Sequence, residues 1–339
     1  MRVGVDIMTV GGLGLSPCQL LDWAHGLGLE GVQFGGLRRL SPTLDVDQLS
    51  RVKAHADRLG MYTHVSVAQA NPIVAEGGLD ALERRLREEI EAAAGAGWRE
   101  LHSFINNDQQ RYEHPVPWKA HVDGCAELLC RLRPLLERLG SRVNLETHGE
   151  TTFDLLRVIA KAGPQAAGIC LDMANTLVNA EDPVLAARRA APYTHLTHAK
   201  DAIVAFCPEG LVRQGRPPGQ GVVDFRAILP VLAEHCPDLP LSIEDHKWLF
   251  TAKIFDRDWV DRNPDLTAHE MGQVVRLACG VQSRLHAGEL PPLEEYEATP
   301  FMEEMETRLR SGRAYLAGLL SELGLQSPPL AAAAAAKEK

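Results

Sequence analysis

Four short runs in this chain place a carboxylate or an imidazole directly after apolar, β-prone residues. They are Val143-Asn144-Leu145-Glu146-Thr147-His148, Ile169-Cys170-Leu171-Asp172-Met173-Ala174-Asn175, His195-Leu196-Thr197-His198-Ala199-Lys200-Asp201 and Leu241-Ser242-Ile243-Glu244-Asp245-His246. If these runs are successive parallel strands, Glu146, Asp172, His198 and Glu244 stand at one height and offer three oxygen donors and one nitrogen. Hard and borderline divalent ions accept such a set: Mn2+ first, then Co2+, Mg2+, Fe2+ or Zn2+. Three carboxylates gathered without a cation repel one another, and burying each of them unpaired is costly. A bound divalent ion is the expected resolution. Taken singly, a Glu after a strand is more often an ion-pair partner or helix cap, and Asp172 could cap the turn that follows it. The recurrence at four successive strand ends is what points to a metal.

A divalent ion held there suits carbonyl chemistry. It would polarise a substrate carbonyl, acidify the adjacent C–H and stabilise the resulting enediolate, while a nearby base takes the proton. Returning the proton to the other face gives an epimer, returning it to the neighbouring carbon gives an isomer, and expelling a β-leaving group gives elimination. His148 lies two residues past Glu146, and alternate residues of a strand share a side. It is therefore a candidate base, or a group that orients water. His246 has the same spacing from Glu244 and reads equally as a hydrogen-bond partner behind the ligands. Lys200, two residues past His198, is a candidate for contacting a substrate oxygen and reads equally as a solvated or ion-paired lysine, and Arg213 is a candidate for reaching an anionic or hydroxyl group, although loop arginines are mostly surface residues. His64 and His102, on the third and fourth strands, are candidates for the pocket lining.

The elements that must carry these residues alternate regularly. Strand-forming runs cover Arg2–Ile7, Gly31–Phe34, Tyr62–Val67, Glu100–Ile105, Arg142–Thr147, Ala167–Asp172, Thr194–Ala199 and Leu239–Asp245. Helical patterns follow each one: Pro17–Leu27, Asp45–Leu59, Leu79–Ala96, Trp118–Leu139, Thr152–Ala162, Pro183–Ala190, Asp224–His235 and Ala268–Leu285. Eight such units, with no GxGxxG nucleotide fingerprint, predict a (β/α)8 TIM barrel rather than a doubly wound sheet. Pro134 is expected to kink or split its helix. Residues 1–288 read as the barrel domain and 289–326 as a helical C-terminal extension, with Glu294–Leu323 as one helix that caps the barrel or packs on another subunit. The stretch 327–339, with its alanine run, reads as a disordered tail. Ile203–Gly221 is a Pro/Gly-rich excursion before the last unit. Trp23 and Trp98 read as packing residues, and Trp118 and Trp248 as packing or pocket walls.

Composition narrows the function. The chain has 339 residues, a formal net charge of −10 and 45% hydrophobic residues. A nucleic-acid binder needs a basic face, so this balance speaks against one. No apolar run reaches the roughly 20 residues that span a membrane. The seven cysteines are dispersed with no CxxC, which fits reduced thiols in a cytoplasmic protein. Cys170, inside an apolar run, reads as a small buried hydrophobe.

The motifs Leu-Glu-Thr-His-Gly at 145–149, Leu-Asp-Met-Ala-Asn at 171–175, His-Ala-Lys-Asp at 198–201 and Ile-Glu-Asp-His at 243–246 resemble those of the xylose isomerase-like TIM barrels. The strand and helix order from Arg2 to Leu285 is similar to theirs. That superfamily includes sugar-phosphate isomerases and epimerases, inosose dehydratases and endonuclease IV. The resemblance implies a small sugar-like substrate, metal binding by Glu146, Asp172, His198 and Glu244, and proton transfer by Glu146 and Glu244. Many ketose epimerases have a substrate-contacting His three residues after the strand-six Asp. This chain has Asn175 there, which speaks against ordinary ketose epimerisation. The Glu-x-His pattern at 146–148 also resembles catalytic subunits of C-glycoside deglycosidases. In those, the matching His is thought to assist loss of an aglycone from a 3-oxo-sugar, beside a small second subunit. The expectation is therefore a metal-dependent isomerase or epimerase. A lyase acting on a 3-oxo-glycoside or inosose is the alternative. A homo-oligomer or a small second subunit is the expected assembly. An endonuclease of the endonuclease IV type would need more metal-binding histidines and a basic groove. A barrel that keeps the ligands without catalysis would be stabilised by metal yet exchange no substrate proton.

Overall fold

A computed structural model describes residues 1–106 and 110–327. Its strands are β1 (Arg2–Asp6), β2 (Gly31–Gly36), β3 (Tyr62–Ser66), β4 (Glu100–Ser103), β5 (Arg142–Glu146), β6 (Ala167–Asp172), β7 (Thr194–His198), β8 (Asp201–Cys207), β9 (Gly210–Arg216), β10 (Pro240–Ile243) and β11 (Leu249–Ala252). Eight of them close in the order β1-β10-β7-β6-β5-β4-β3-β2, and every neighbouring pair is parallel. With the helices outside, this is a (β/α)8 TIM barrel. Its strands are buried on both faces, which explains why β6 reads as an almost unbroken apolar run.

The helices start where local chemistry supplies an acceptor for their free N–H groups. Asp45 accepts from Asp47 N and Gln48 N at the head of Val46–Arg58. Thr151 and Asp154 form a reciprocal capping box for Thr152–Ala162. Thr267 accepts from Glu270 N at the start of Ala268–His286. At the floor of the barrel, the Tyr62 hydroxyl reaches across to Ser242 Oγ, 3.0 Å away. Only glycine fits beside that ring: a Cβ on Gly31 would stand 2.3 Å from it. Trp98 is buried on the helix side, where its Nε1–H donates to Thr63 Oγ1.

Three features differ from expectation. The helix Trp118–Leu139 runs unbroken through Pro134. One missing N–H is a modest loss within 22 residues, and Leu128, Leu129, Leu132, Leu135 and Leu136 bury the apolar face on either side of it. The Ile203–Gly221 excursion is built rather than irregular. Its strands β8 and β9 form an antiparallel hairpin joined by β11 in a second sheet beside the barrel mouth. The C-terminal segment is broken at Thr299-Pro300 into Leu293–Ala298 and Phe301–Leu323, because Pro300 cannot continue the first helix and instead caps the second. The longer helix packs on its own barrel, burying Met305, Leu309, Leu316, Leu319 and Leu320. Of the expected tail, Ser327 is buried and hydrogen-bonded, while 328–339 lies outside the described residues.

Candidate metal centre

β5, β6, β7 and β10 are consecutive around the barrel, and each ends in one of the four candidate ligands or delivers it one residue later. Register aligns them: Asp172 pairs with His198, Glu146 with Cys170, and Ser242 with His198. Side-chain atoms of Glu146, Asp172, His198 and Glu244 accordingly lie within 4.8 Å of one another, all buried. His198 Nδ1 faces Glu244 Oε2 at 2.6 Å, Glu146 Oε1 at 3.2 Å and Asp172 Oδ2 at 3.9 Å. Its Nε2 lies 2.7 Å from the Gln33 side-chain amide.

Neighbouring groups hold each carboxylate in place. Glu146 Oε2 accepts from His102 Nε2 at 2.9 Å, and Oε1 lies 3.3 Å from Asn175 Nδ2. Asp172 Oδ1 accepts from the backbone N–H of Ala174 and Asn175, turning its other oxygen toward the centre. Lys200 Nζ donates to Glu244 Oε1 at 2.6 Å and Asp172 Oδ2 at 2.9 Å, and it is itself buried. Burial pushes every one of these carboxyls up, and the outcome depends on the neighbours. The charge of His198 and the hydrogen bond from His102 hold Glu146 well below the usual carboxylate range. Lys200 and His198 do the same for Glu244. For Asp172 burial wins and the carboxyl is raised, with Glu244 and Glu146 adding to the push.

This set fits a divalent cation. Three buried carboxylates face one another with a single ammonium, that of Lys200, in direct contact with two of them. The His198 Nδ1 atom meets no standard hydrogen-bond geometry despite facing three carboxylate oxygens. Gln33 Nε2 faces His198 Nε2 while the Gln33 amide oxygen has no partner among the described residues; turning that amide over lets its oxygen accept Nε2–H, and Nδ1 would then present a lone pair to the centre. A shared cation makes that arrangement favourable.

The other candidate residues divide into groups. His102 is engaged at both nitrogens, by Ser66 Oγ and by Glu146, so it orients a ligand. His64 sits within the barrel, its ring 5.3 Å from that of Tyr62, and burial lowers its pKa to about 4. Among the described residues no hydrogen bond or ion pair joins it to the four-residue cluster. His148 stands exposed at the mouth, donating Nδ1–H to Asn106 O at 2.8 Å. His246 lies 3.7 Å from Glu244 and stacks on Trp248, which is 55% exposed at the rim. Asn175 bridges Glu146, Lys200 and Arg213. Arg213, brought in by β9, is buried beside Asn175 with Phe250 over its guanidinium. Trp118 is a packing residue: its Nε1–H donates to Asp154.

Two supports escaped the sequence reading. Arg308, on the C-terminal helix, clasps Asp245 through both carboxylate oxygens at 2.8 and 2.6 Å, one residue past Glu244. Lys247 is tied to the carbonyls of Tyr296 and Thr299. The extension thus braces the strand end that carries Glu244. Glu150, in the Glu-Thr-His-Gly-Glu run, accepts from the backbone N–H of Ile105, Asn106, His148 and Gly149, and so fixes the loop after β5. The only signal for either was an unassigned charged residue close to a motif.

Comparison with known proteins agrees with the barrel fold. The family described as "Xylose isomerase-like TIM barrel" matches residues 21–262. The chain is similar to the uncharacterized protein YihM of Escherichia coli K12, with 24% identity over 272 residues covering 76% of each chain. Among solved structures it superposes on the 3-keto-D-glucoside 4-epimerase YcjR of E. coli with a TM-score of 0.54 and 15% identity, covering 78% of this chain and 100% of that one. It superposes on the probable 3-DHS dehydratase AsbF of Bacillus anthracis with a TM-score of 0.54 and 14% identity, covering 81% and 99%. At these identities the structural likenesses speak for the fold.

Proposed function

Since the chain belongs to the xylose isomerase-like TIM barrel family, we propose that it is a divalent-metal-dependent isomerase or epimerase of a sugar-like carbonyl compound. The observation that carries this reading is the convergence of Glu146, Asp172, His198 and Glu244 on one buried point at the mouth of the barrel. These four would hold the ion, Mn2+ in first place given three oxygens and one imidazole nitrogen. When bound, the ion supplies Lewis-acid polarisation of the substrate carbonyl.

The chain's own residues do the rest. Glu146 and Glu244 stand at the two ends of the four-strand arc, so a substrate between them meets a carboxylate on each side. One takes the proton from the carbon beside the carbonyl and the other returns it. His102 and Asn175 keep Glu146 in position, and Lys200 keeps Glu244 in position. Lys200 also places positive charge where an enolate oxygen develops. The name of the YcjR neighbour, a 3-keto-D-glucoside epimerase, supports a carbonyl-bearing sugar as substrate.

A second reading is elimination from a 3-oxo-glycoside or inosose. It is favoured by His148, a titratable group left exposed at the mouth, where a departing aglycone or water would need a proton. The dehydratase neighbour is compatible with it. One experiment tests both. The Mn2+-supplemented protein is incubated in D2O with ketoses, inososes and 3-oxo-glycosides, and deuterium incorporation and aglycone release are followed. Exchange at the carbon next to the carbonyl, abolished by Glu146→Gln, is the expected result. Release of aglycone abolished by His148→Ala would select elimination. Absence of both across the panel would contradict a catalytic role.

A further inference from the structure

Arg213 is only 1% exposed, yet among the described residues its Nε and Nη1 atoms have no hydrogen-bond partner. Among those residues its guanidinium makes one hydrogen bond, a 3.3 Å contact from Nη2 to Asn175 Oδ1. A guanidinium carries five N–H donors, and burying charged donors without acceptors is costly. Burial accordingly pushes the Arg213 pKa down, although Asp172, Glu244 and Asp245 oppose that. The residue is aimed at the centre: Asn175, which it touches, also contacts Glu146 and Lys200. His246, at the same rim, likewise has a buried Nδ1 without a partner.

The local charge and the free donors fit a singly charged ligand. Glu146, Asp172 and Glu244 contribute −3, Lys200 and Arg213 contribute +2, and a divalent ion would contribute +2, while Asp6, 3.7 Å from His198 and lifted by burial to a pKa of about 7, contributes between 0 and −1. The sum lies between 0 and +1, too little to balance a dianion. A neutral sugar would leave the Arg213 donors facing hydroxyls alone, whereas a singly charged anion supplies acceptors that suit a guanidinium.

Resting on the proposed carbonyl chemistry, we propose that the substrate carries a carboxylate or a similar monoanionic group, bound by Arg213 with His246 beside it. Arg213 projects from the β8–β9 hairpin, outside the barrel strands that supply the four candidate ligands. The anionic group is therefore recognised at the rim, on the side of the site where Asn175 and Lys200 lie.

Calorimetry on the Mn2+-loaded full chain tests this with D-glucuronate, D-glucose and D-glucose 6-phosphate as probes. The expected result is that glucuronate binds at least tenfold more tightly than glucose, and that Arg213→Met removes the preference while leaving Mn2+ affinity within about threefold of wild type. Arg213→Lys, which keeps the charge, should retain part of it. Because Arg213→Met could fail to fold, the wild-type preference is itself decisive. Equal affinity for glucuronate and glucose in the wild type would overturn the proposal, as would an undiminished preference in a folded Arg213→Met protein. Phosphate preferred over carboxylate would overturn the monoanion assignment. Anion-selective binding without deuterium exchange would leave this inference standing while the catalytic reading fell. Exchange confined to neutral sugars would do the reverse.

Discussion

A lone buried carboxylate, Asp201, and the buried group of Glu146, Asp172 and Glu244 live by different rules. Asp201, at the start of β8, accepts hydrogen bonds from the backbone N–H of Ala202, Gly219, Gly221 and Val223 at 2.8–3.1 Å. Immobile main-chain donors satisfy both its oxygens, and no cation is required. Burial still lifts its pKa to about 6. Glu146, Asp172 and Glu244 instead each turn an oxygen toward a shared point, where the described neighbours are one imidazole, that of His198, and one ammonium, that of Lys200. Burial alone therefore does not mark a functional carboxylate. What marks it is a shortage of fixed donors, which leaves an exchangeable ion or a substrate to complete the arrangement.

Substitutions can break the two groups apart. The largest effect is expected at the self-sufficient one. Asp201→Ala leaves four backbone donors without their acceptor and should cost about 4 kcal/mol of folding stability, with water offsetting part of a larger loss. Urea unfolding with and without Mn2+ should show the same loss in both. Asp172→Asn should do the opposite: stability without metal stays within about 0.5 kcal/mol or rises, because a mutual repulsion is removed, while Mn2+ affinity falls by roughly 100-fold or more. Isothermal titration measures the second quantity. A smaller effect is expected at His102, which touches Glu146 from behind. His102→Ala should weaken Mn2+ by about 10–100-fold without abolishing it. If it left the affinity unchanged, the orienting role assigned to its 2.9 Å bond would be wrong.

Much of this was legible in the sequence, for physical reasons. The barrel strands are buried on both sides and read as short apolar runs, so their positions and the residues at their ends could be placed closely. Glu146, Asp172, His198 and Glu244 were recognisable because strand ends in such a barrel converge whatever the loops do. Arg308 was not, because its partner Asp245 lies 63 residues away and the pairing depends on how the C-terminal helix docks. The β8–β9 hairpin hid behind its glycines and prolines, so a turn-rich stretch concealed two strands. Pro134 misled for the converse reason: local propensity predicts a break, but tertiary burial on both sides holds the helix together. Lys200 reads from the sequence equally as a substrate contact or as an ion-paired lysine; the identity of its partners, Asp172 and Glu244, depends on how the loop after β7 turns inward.

The central claim is that one divalent ion occupies the point shared by Glu146, Asp172, His198 and Glu244. Titrating chelator-stripped protein with Mn2+ in a calorimeter, alongside Asp172→Asn, tests it most directly. The account predicts one tight site per chain in the wild type, a melting temperature that rises with Mn2+, and loss of both in the variant. Mn2+, Co2+, Mg2+, Fe2+ and Zn2+ all failing to bind the wild type at millimolar concentration, or binding unaltered in Asp172→Asn, would contradict it.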